Sequence, residues 1–167
     1  MNIILCGMMG VGKSTVGVKV AERTGYCWYD TDTIIAKRHG RISDIFEFYG
    51  EAHFRQLEAE VTKELAQKDE LVISTGGGLV MNWDNVELLK KNGKIFFLKA
   101  SIETLLSRVQ GDDTRPLLKN TNTRECLEEL LNERTPVYEH VADCMVDTDG
   151  KTPDEVAAEI ASAMENL

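Results

Sequence analysis

Short apolar runs alternate along this chain with longer stretches whose hydrophobic side chains recur at helical spacing. Residues 3–6, 27–29, 71–74, 95–98 and 144–146 form the apolar runs, and each predicts a strand. Between them, Phe54, Leu57, Val61 and Leu65, and nearer the end Val156, Ile160 and Met164, fall every three or four residues, as on a helix with one buried face. Strands separated by helices predict an α/β fold: one doubly wound domain over 1–167, with a five-stranded parallel sheet flanked by helices. Two segments break the alternation. Residues 33–51 are mostly polar and contain Gly40 and Gly50, while residues 110–122 are rich in Gly, Asp, Thr and Asn. Both are read as insertions at the mouth of the sheet. Only Pro116, Pro136 and Pro153 could stiffen a linker, and no repeat or low-complexity tract occurs, so nothing marks a domain boundary.

A chain of 167 residues with 43% hydrophobic content can bury a core without staples. Acidic residues outnumber basic ones, 28 to 19, for a net charge of −9. Such a field repels nucleic acid and anionic lipid, so neither is an expected partner, and an anionic ligand must find locally clustered Lys and Arg. Cys6, Cys27, Cys126 and Cys144 form no C-x-x-C pair, and His39, His53 and His140 have no zinc spacing with them. The cysteines are read as reduced core residues, the histidines as solvated or packed, and no metal cage built from protein alone is expected. No apolar stretch approaches the about 18 residues of a membrane span, and the first apolar run follows directly on Met1. The expected location is the cytoplasm. A monomer is expected.

The sequence Gly7-Met8-Met9-Gly10-Val11-Gly12-Lys13-Ser14 is a complete G-x-x-x-x-G-K-[ST], placed after an expected strand and before a helix-forming run. In that setting the backbone N–H groups around Gly10, Val11 and Gly12 curl toward a polyphosphate, and the following helix, through Thr15, offers its positive end. Lys13 reaches the β and γ phosphates and Ser14 is a Mg²⁺ ligand. The expected ligands are therefore ATP and Mg²⁺. No Asn-Lys-x-Asp for guanine occurs, and Asp147-Thr148-Asp149-Gly150 follows the last strand, where a γ-phosphate switch has no place; it is read as a turn. The third strand run ends in Ser74-Thr75 rather than an acid, so the acid near Mg²⁺ must come from Asp30 or Asp32, at the carboxyl end of the second strand. One can serve the metal shell and the other take an acceptor hydroxyl's proton; alternatively, one caps the next helix. Gly76-Gly77-Gly78 suggests close approach of backbone to a ligand. Arg55 lies three residues before Glu58 on an expected helix over 51–67, so it is either a ligand contact or half of a solvated ion pair. Arg108, Arg115 and Arg134 surround or enter segment 110–122 and supply the positive field that the chain otherwise lacks.

From Asn2 to about Asp147 these residues resemble the shikimate kinases. The likeness rests on residues 7–15 for the P-loop, Asp30 and Asp32 for an Asp-x-Asp, and Phe54, Arg55 and Glu58 for a Phe-Arg-x-x-Glu helix. It continues in Gly76, Gly77 and Gly78, in Arg115-Pro116-Leu117, and in Glu133-Arg134-Thr135-Pro136-Val137-Tyr138. After the last strand the chain has Asp147-Thr148-Asp149 where many members carry Asp-Thr-Asn. The resemblance implies a P-loop NTPase fold with a substrate-binding lobe (33–67) and a lid (110–122). It also implies transfer of the ATP γ-phosphoryl group to the 3-hydroxyl of shikimate, in the pathway to chorismate and the aromatic amino acids. In that reading Asp32, Arg55, Gly76, Gly77, Gly78 and Arg134 hold shikimate, and Gly10, Val11, Gly12, Lys13, Ser14 and Thr15 hold ATP while Arg108 stacks on adenine. Ser14 and Asp30 hold Mg²⁺, and Lys13, Asp32 and Arg115 are catalytic. Arg115 is expected to reach the phosphates as the polar lid closes, and arginines so placed are worth about 10³ to 10⁵ in rate. The rival readings are a gluconate or nucleoside-monophosphate kinase of the same fold and a non-catalytic ATP-binding module. A nucleotide acceptor would want more arginines in a longer lid, and intact Lys13, Ser14 and Asp32 argue against the module.

Overall fold

Five consecutive buried residues, Asn2–Cys6, form the central strand β1 of the computed structural model, which describes residues 1–109 and 123–167. A strand can be apolar along its whole length only if both faces are covered, and the helices here do that. β2 (Cys27–Asp30), β3 (Leu71–Ser74), β4 (Gly93–Lys99) and β5 (Cys144–Asp147) complete a parallel sheet in the order β2-β3-β1-β4-β5. Its helices are α1 (Lys13–Thr24), α2 (Thr31–His39), α3 (Ile42–Tyr49), α4 (Glu51–Ala66), α5 (Trp83–Lys90), α6 (Ile102–Val109), α7 (Thr123–Val141) and α8 (Pro153–Glu165). Because all strands run the same way, the segments after β1, β2 and β3 emerge together at one edge. The register sets Asp30 opposite Ser74 and Ser74 opposite Leu5, so the P-loop, the Asp30–Asp32 step and the glycine triplet lie side by side.

Local chemistry fixes where the elements stop. α1 starts at Gly12 and ends at Gly25, both left-handed, a conformation that glycine adopts without a Cβ clash. α8 opens on a capping box, the Thr152 side chain accepting from the Glu155 N–H and Glu155 reaching back, with Pro153 in the first turn. The apolar runs sit inside the five observed strands, which extend them by a residue or two at some ends.

The expected insertion over 33–51 is helical, and the reading of the cysteines needs correction. The mostly polar segment 33–51 carries α2 and α3, which break at Gly40 and Gly50 and bury Ile35 and Ile45. A fully buried isoleucine anchors each helix, Ile34, Ile42 and Phe46 pack against the core beside them, and Phe48 and Tyr49 stay exposed. The cysteines do not form a core set: Cys6 is buried, but Cys27 is exposed on the edge strand β2, and Cys126 and Cys144 are half-buried. An edge position leaves one flank of an apolar run open to water.

Helix α1 lies unusually close to the sheet. The Trp28 indole donates to Ser74 Oγ (3.0 Å), which in turn donates to the Lys13 carbonyl (2.7 Å). A Cβ at Gly17 would stand 2.4 Å from Ser74 Oγ and 2.5 Å from Trp28 Nε1. Gly17→Ala therefore opposes two effects. Helix propensity favours alanine by about 1 kcal/mol, whereas overpacking costs about 1–3 kcal/mol and breaks this hydrogen-bonded chain. Urea denaturation is expected to give a lower midpoint for the variant; a midpoint at or above that of the unsubstituted protein would show that the contact is slack.

Candidate active site

Between β1 and α1 the backbone turns through left-handed Gly10 (φ 83°) and Gly12 (φ 102°), which puts successive peptide groups around one concavity. A cavity of about 250 Å³ there is lined by Gly10, Gly12, Lys13, Ser14, Thr15 and Arg108 among others. Lys13 Nζ donates to the Gly7 and Met8 carbonyls at 2.6 and 3.1 Å. Arg108, on α6, donates through Nη1 to the Gly10 and Val11 carbonyls at 3.0 and 2.9 Å, so it grips the loop's backbone from outside. Ser14 Oγ donates to Asp30 Oδ2 at 2.5 Å, while Asp30 Oδ1 accepts from the Thr33 N–H that starts α2. Asp30 is thus a helix cap and the partner of the P-loop serine at once.

Next to it, the glycine triplet has a plain steric reason. None of its glycines has a positive φ, so freedom of conformation is not what they supply. A Cβ on Gly76 would lie 2.7 Å from Asp32 Oδ1 and 3.0 Å from Glu58 Oε2. One on Gly77 would lie 2.9 Å from Arg134 Nη1, and one on Gly78 would lie 2.5 Å from Arg55 Nη1. Each glycine seats a different charged side chain of the protein against the backbone. The close approach read from the sequence is real, and its first occupants are the protein's own charges. The turn is pinned by the Gly76 N–H donating to Thr31 Oγ1 (2.9 Å) and by Tyr138 Oη donating to the Gly77 carbonyl.

Asp32, Arg55, Glu58, the three glycines and Arg134 form one side of a larger cavity of about 580 Å³, and Ala36, Ile42, Phe46 and Phe54 contribute its apolar surface. The two cavities share Met9, Ser14, Asp30, Asp32, Gly76 and Gly77, so they are continuous. Among the predicted residues, Gly10, Gly12, Lys13, Ser14, Thr15 and Arg108 line the phosphate-sized cradle, with Val11 buried in its loop. Asp30, Asp32, Gly76 and Gly77 stand at the junction; Arg55, Gly78 and Arg134 line the larger cavity. Arg115 and the expected lid lie outside the described residues.

Arg55 pairs with Glu58 (2.7 Å) and Glu51 (3.1 Å), but the pair with Glu58 is not solvated. Glu58 is 1% exposed, and its second carboxylate oxygen has no hydrogen-bond partner among the described residues. Burial pushes its carboxyl up to about 7, against the opposing pull of Arg55 and Arg134. Arg134, 7% exposed, is the other guanidinium brought to this cavity. The arrangement suits a small anionic ligand: guanidinium groups for its negative charge, Asp32 for hydroxyl groups, and an apolar wall for the face of its skeleton. Sequence reasoning named Glu58 and Tyr138 only as motif or ion-pair positions and gave neither them nor Thr31 a place in the site. For Glu58 the signal was present, since it falls one helical turn after Phe54 and before Val61, on the buried face of α4.

Residues 9–165 match the family model described as shikimate kinase. A shikimate kinase from Thermodesulfovibrio yellowstonii is 44% identical over 99% of this chain and 96% of its own length. Another, from Geobacter sulfurreducens, is 46% identical over 96% of this chain and 89% of its own. Among solved structures, shikimate kinase from Acinetobacter baumannii in complex with shikimate superposes with a TM-score of 0.95 at 37% identity, covering 99% of this chain and 93% of that one. A gluconokinase from Sinorhizobium meliloti, at 18% identity and a TM-score of 0.60 over 99% of this chain and 92% of its own, shares the fold.

Glu58 holds its proton more tightly folded than unfolded, because its value rises from an ordinary 4.5 to about 7. Its contribution to stability is therefore complete below about 4.5 and is lost as pH rises through about 7. Urea unfolding at about pH 5 and about pH 8 should show a stability loss that is smaller in Glu58→Gln, which cannot ionise. An equal loss in both proteins would mean that Glu58 ionises as freely in the fold as in the unfolded chain.

Proposed function

The chain belongs to the shikimate kinase family, and we infer that it transfers the γ-phosphoryl group of ATP to the 3-hydroxyl of shikimate, giving ADP and shikimate 3-phosphate on the way to chorismate and the aromatic amino acids. One observation carries this reading: a cavity with guanidinium groups and Asp32 against an apolar wall opens directly onto the P-loop. Arg55 and Arg134 would hold the carboxylate of shikimate, the Gly77 and Gly78 backbone its near side, and Asp32 the reacting hydroxyl. Asp32 lines both cavities, which supports its reading as the proton acceptor between acceptor and donor. As the hydroxyl oxygen bonds to the γ-phosphorus, the bond to the β,γ-bridging oxygen breaks, and the hydroxyl proton passes to Asp32. Lys13 offsets the charge on the phosphates, and the cavity holds the reacting groups in line.

The family's chemistry calls for a divalent cation, and the donor set fits Mg²⁺. Ser14 Oγ and an Asp30 oxygen are adjacent hard oxygens beside the phosphate cradle. An ion so held would take its remaining ligands from phosphates and water. Bound there, Mg²⁺ would neutralise phosphate charge. No helix among the described residues is long and apolar enough to cross a membrane, and the net charge of −9 opposes nucleic acid. The proposed enzyme works on small molecules, with the cytoplasm as its proposed location.

The direct test is ADP release from ATP with shikimate, gluconate and nucleoside monophosphates offered separately. Shikimate alone should support turnover. Asp32→Asn is expected to lower turnover by about 10² to 10⁴ while ATP affinity is kept, the range for a lost general base. Turnover with gluconate or a nucleotide in place of shikimate would overturn the assignment; normal turnover in Asp32→Asn would remove Asp32 from the reaction.

A further inference from the structure

Tyr138 is the bulkiest of the fully buried side chains, at 0% exposure, and its ring packs against Phe97 of β4 with centroids 5.0 Å apart. Packing alone would be served by phenylalanine, and a buried hydroxyl is costly unless its hydrogen bonds are made. The hydroxyl's donor bond is made here, and it leads to the acceptor cavity. The hydroxyl donates to the Gly77 carbonyl at 2.5 Å, and it and Arg134 Nη1 both lie against Gly77, 3.7 and 2.9 Å from where a Cβ would be. Burial drives the Tyr138 hydroxyl well above its ordinary value, so it keeps its proton and remains a donor to the carbonyl.

The Tyr138 hydroxyl and Arg134 meet at one peptide of this subsite. Arg134 precedes Tyr138 by one turn on α7, and the pair close on the glycine turn from the same helix. A peptide unit is planar, and in the trans form its C=O and N–H point in opposite directions. Holding the Gly77 carbonyl toward α7 therefore fixes the Gly78 N–H on the opposite side. Without side chains of its own, a Gly-Gly peptide has little else to prevent rotation. Arg134 Nη1 sits 2.9 Å from where a Gly77 Cβ would be and the Tyr138 hydroxyl 3.7 Å from the same point, so the two side chains pack against one peptide.

We propose that Tyr138 is a positioning residue for recognition of the acceptor's carboxylate, holding the Gly77–Gly78 peptide and Arg134 in the arrangement that receives it. This rests on the acceptor reading above. Tyr138→Phe keeps the ring and removes only the hydroxyl. Steady-state kinetics would compare shikimate with its analogue in which the carboxylate is replaced by hydroxymethyl. For shikimate, kcat/KM should fall about tenfold, mainly through KM, the size of one lost hydrogen bond. KM for ATP should stay within about twofold, and the preference for shikimate over the alcohol should shrink by about the same tenfold. Equal losses on both acceptors, or an unchanged KM for shikimate, would overturn the proposal. Failure of the unsubstituted protein to use shikimate would instead overturn the acceptor reading, so the two can be told apart. Should Tyr138→Phe not fold, 3-fluorotyrosine at position 138 keeps shape and hydroxyl while changing hydrogen-bond strength. A change in KM for shikimate, with KM for ATP constant, is then expected; no change in either overturns the proposal.

Discussion

Four charged side chains press on one turn that has no side chains, and the rest of the site depends on this. Asp32, Glu58, Arg134 and Arg55 all come within 3.0 Å of positions that a Cβ would occupy on Gly76, Gly77 or Gly78. Taking charges out of water is costly, and it is sustainable here because opposite signs meet: two carboxylates and two guanidinium groups share one small volume. Glu58 and Arg55 make a direct ion pair, with Glu58 almost wholly buried. The apolar helices around them deepen the field that the cavity presents to a ligand. A larger residue in the turn would push these groups apart and leave them buried and poorly paired.

The sheet is what brings this turn to the P-loop. β3 lies between β1 and β2, so its trailing glycines stand beside the loop after β1 and the acids after β2. Donor phosphates and acceptor hydroxyl can then occupy adjoining cavities with Asp30 and Asp32 at the junction. The Trp28–Ser74–Lys13 chain and Gly17 hold α1 close enough to the sheet for Ser14 to reach Asp30. Orientation of two bound reactants is worth several kcal/mol of barrier, and strand order, by setting the two cavities side by side, is what would supply it here.

Much of this was legible in the sequence. The P-loop could be read because its glycines, lysine and serine each answer a separate demand of phosphate binding. The strands could be read because double burial leaves an uninterrupted apolar run. Other features could not be read from local spacing. Arg55 and Glu58 are spaced as a surface pair would be, and only the packing of α4 shows that Glu58 is inside. Tyr138 looks like a core aromatic until the Gly77 carbonyl, 61 residues away in sequence, is seen to meet its hydroxyl. Cys27 belongs to an apolar run, yet strand order puts it on the open edge. The glycine triplet was legible as a place of close approach, but the identity of the approaching groups depends on contacts distant in sequence.

Calorimetric titration of Gly78→Ala tests the central claim most directly. Gly78 has φ −102° and ψ −1°, which alanine adopts without strain, so the substitution adds only a methyl group 2.5 Å from Arg55 Nη1. A folded variant that binds MgATP as the unsubstituted protein does, but binds shikimate at least about tenfold more weakly, is the predicted result. Undiminished shikimate binding would contradict the account, because it would mean that the absence of a side chain in this turn is not what lets the charged groups assemble.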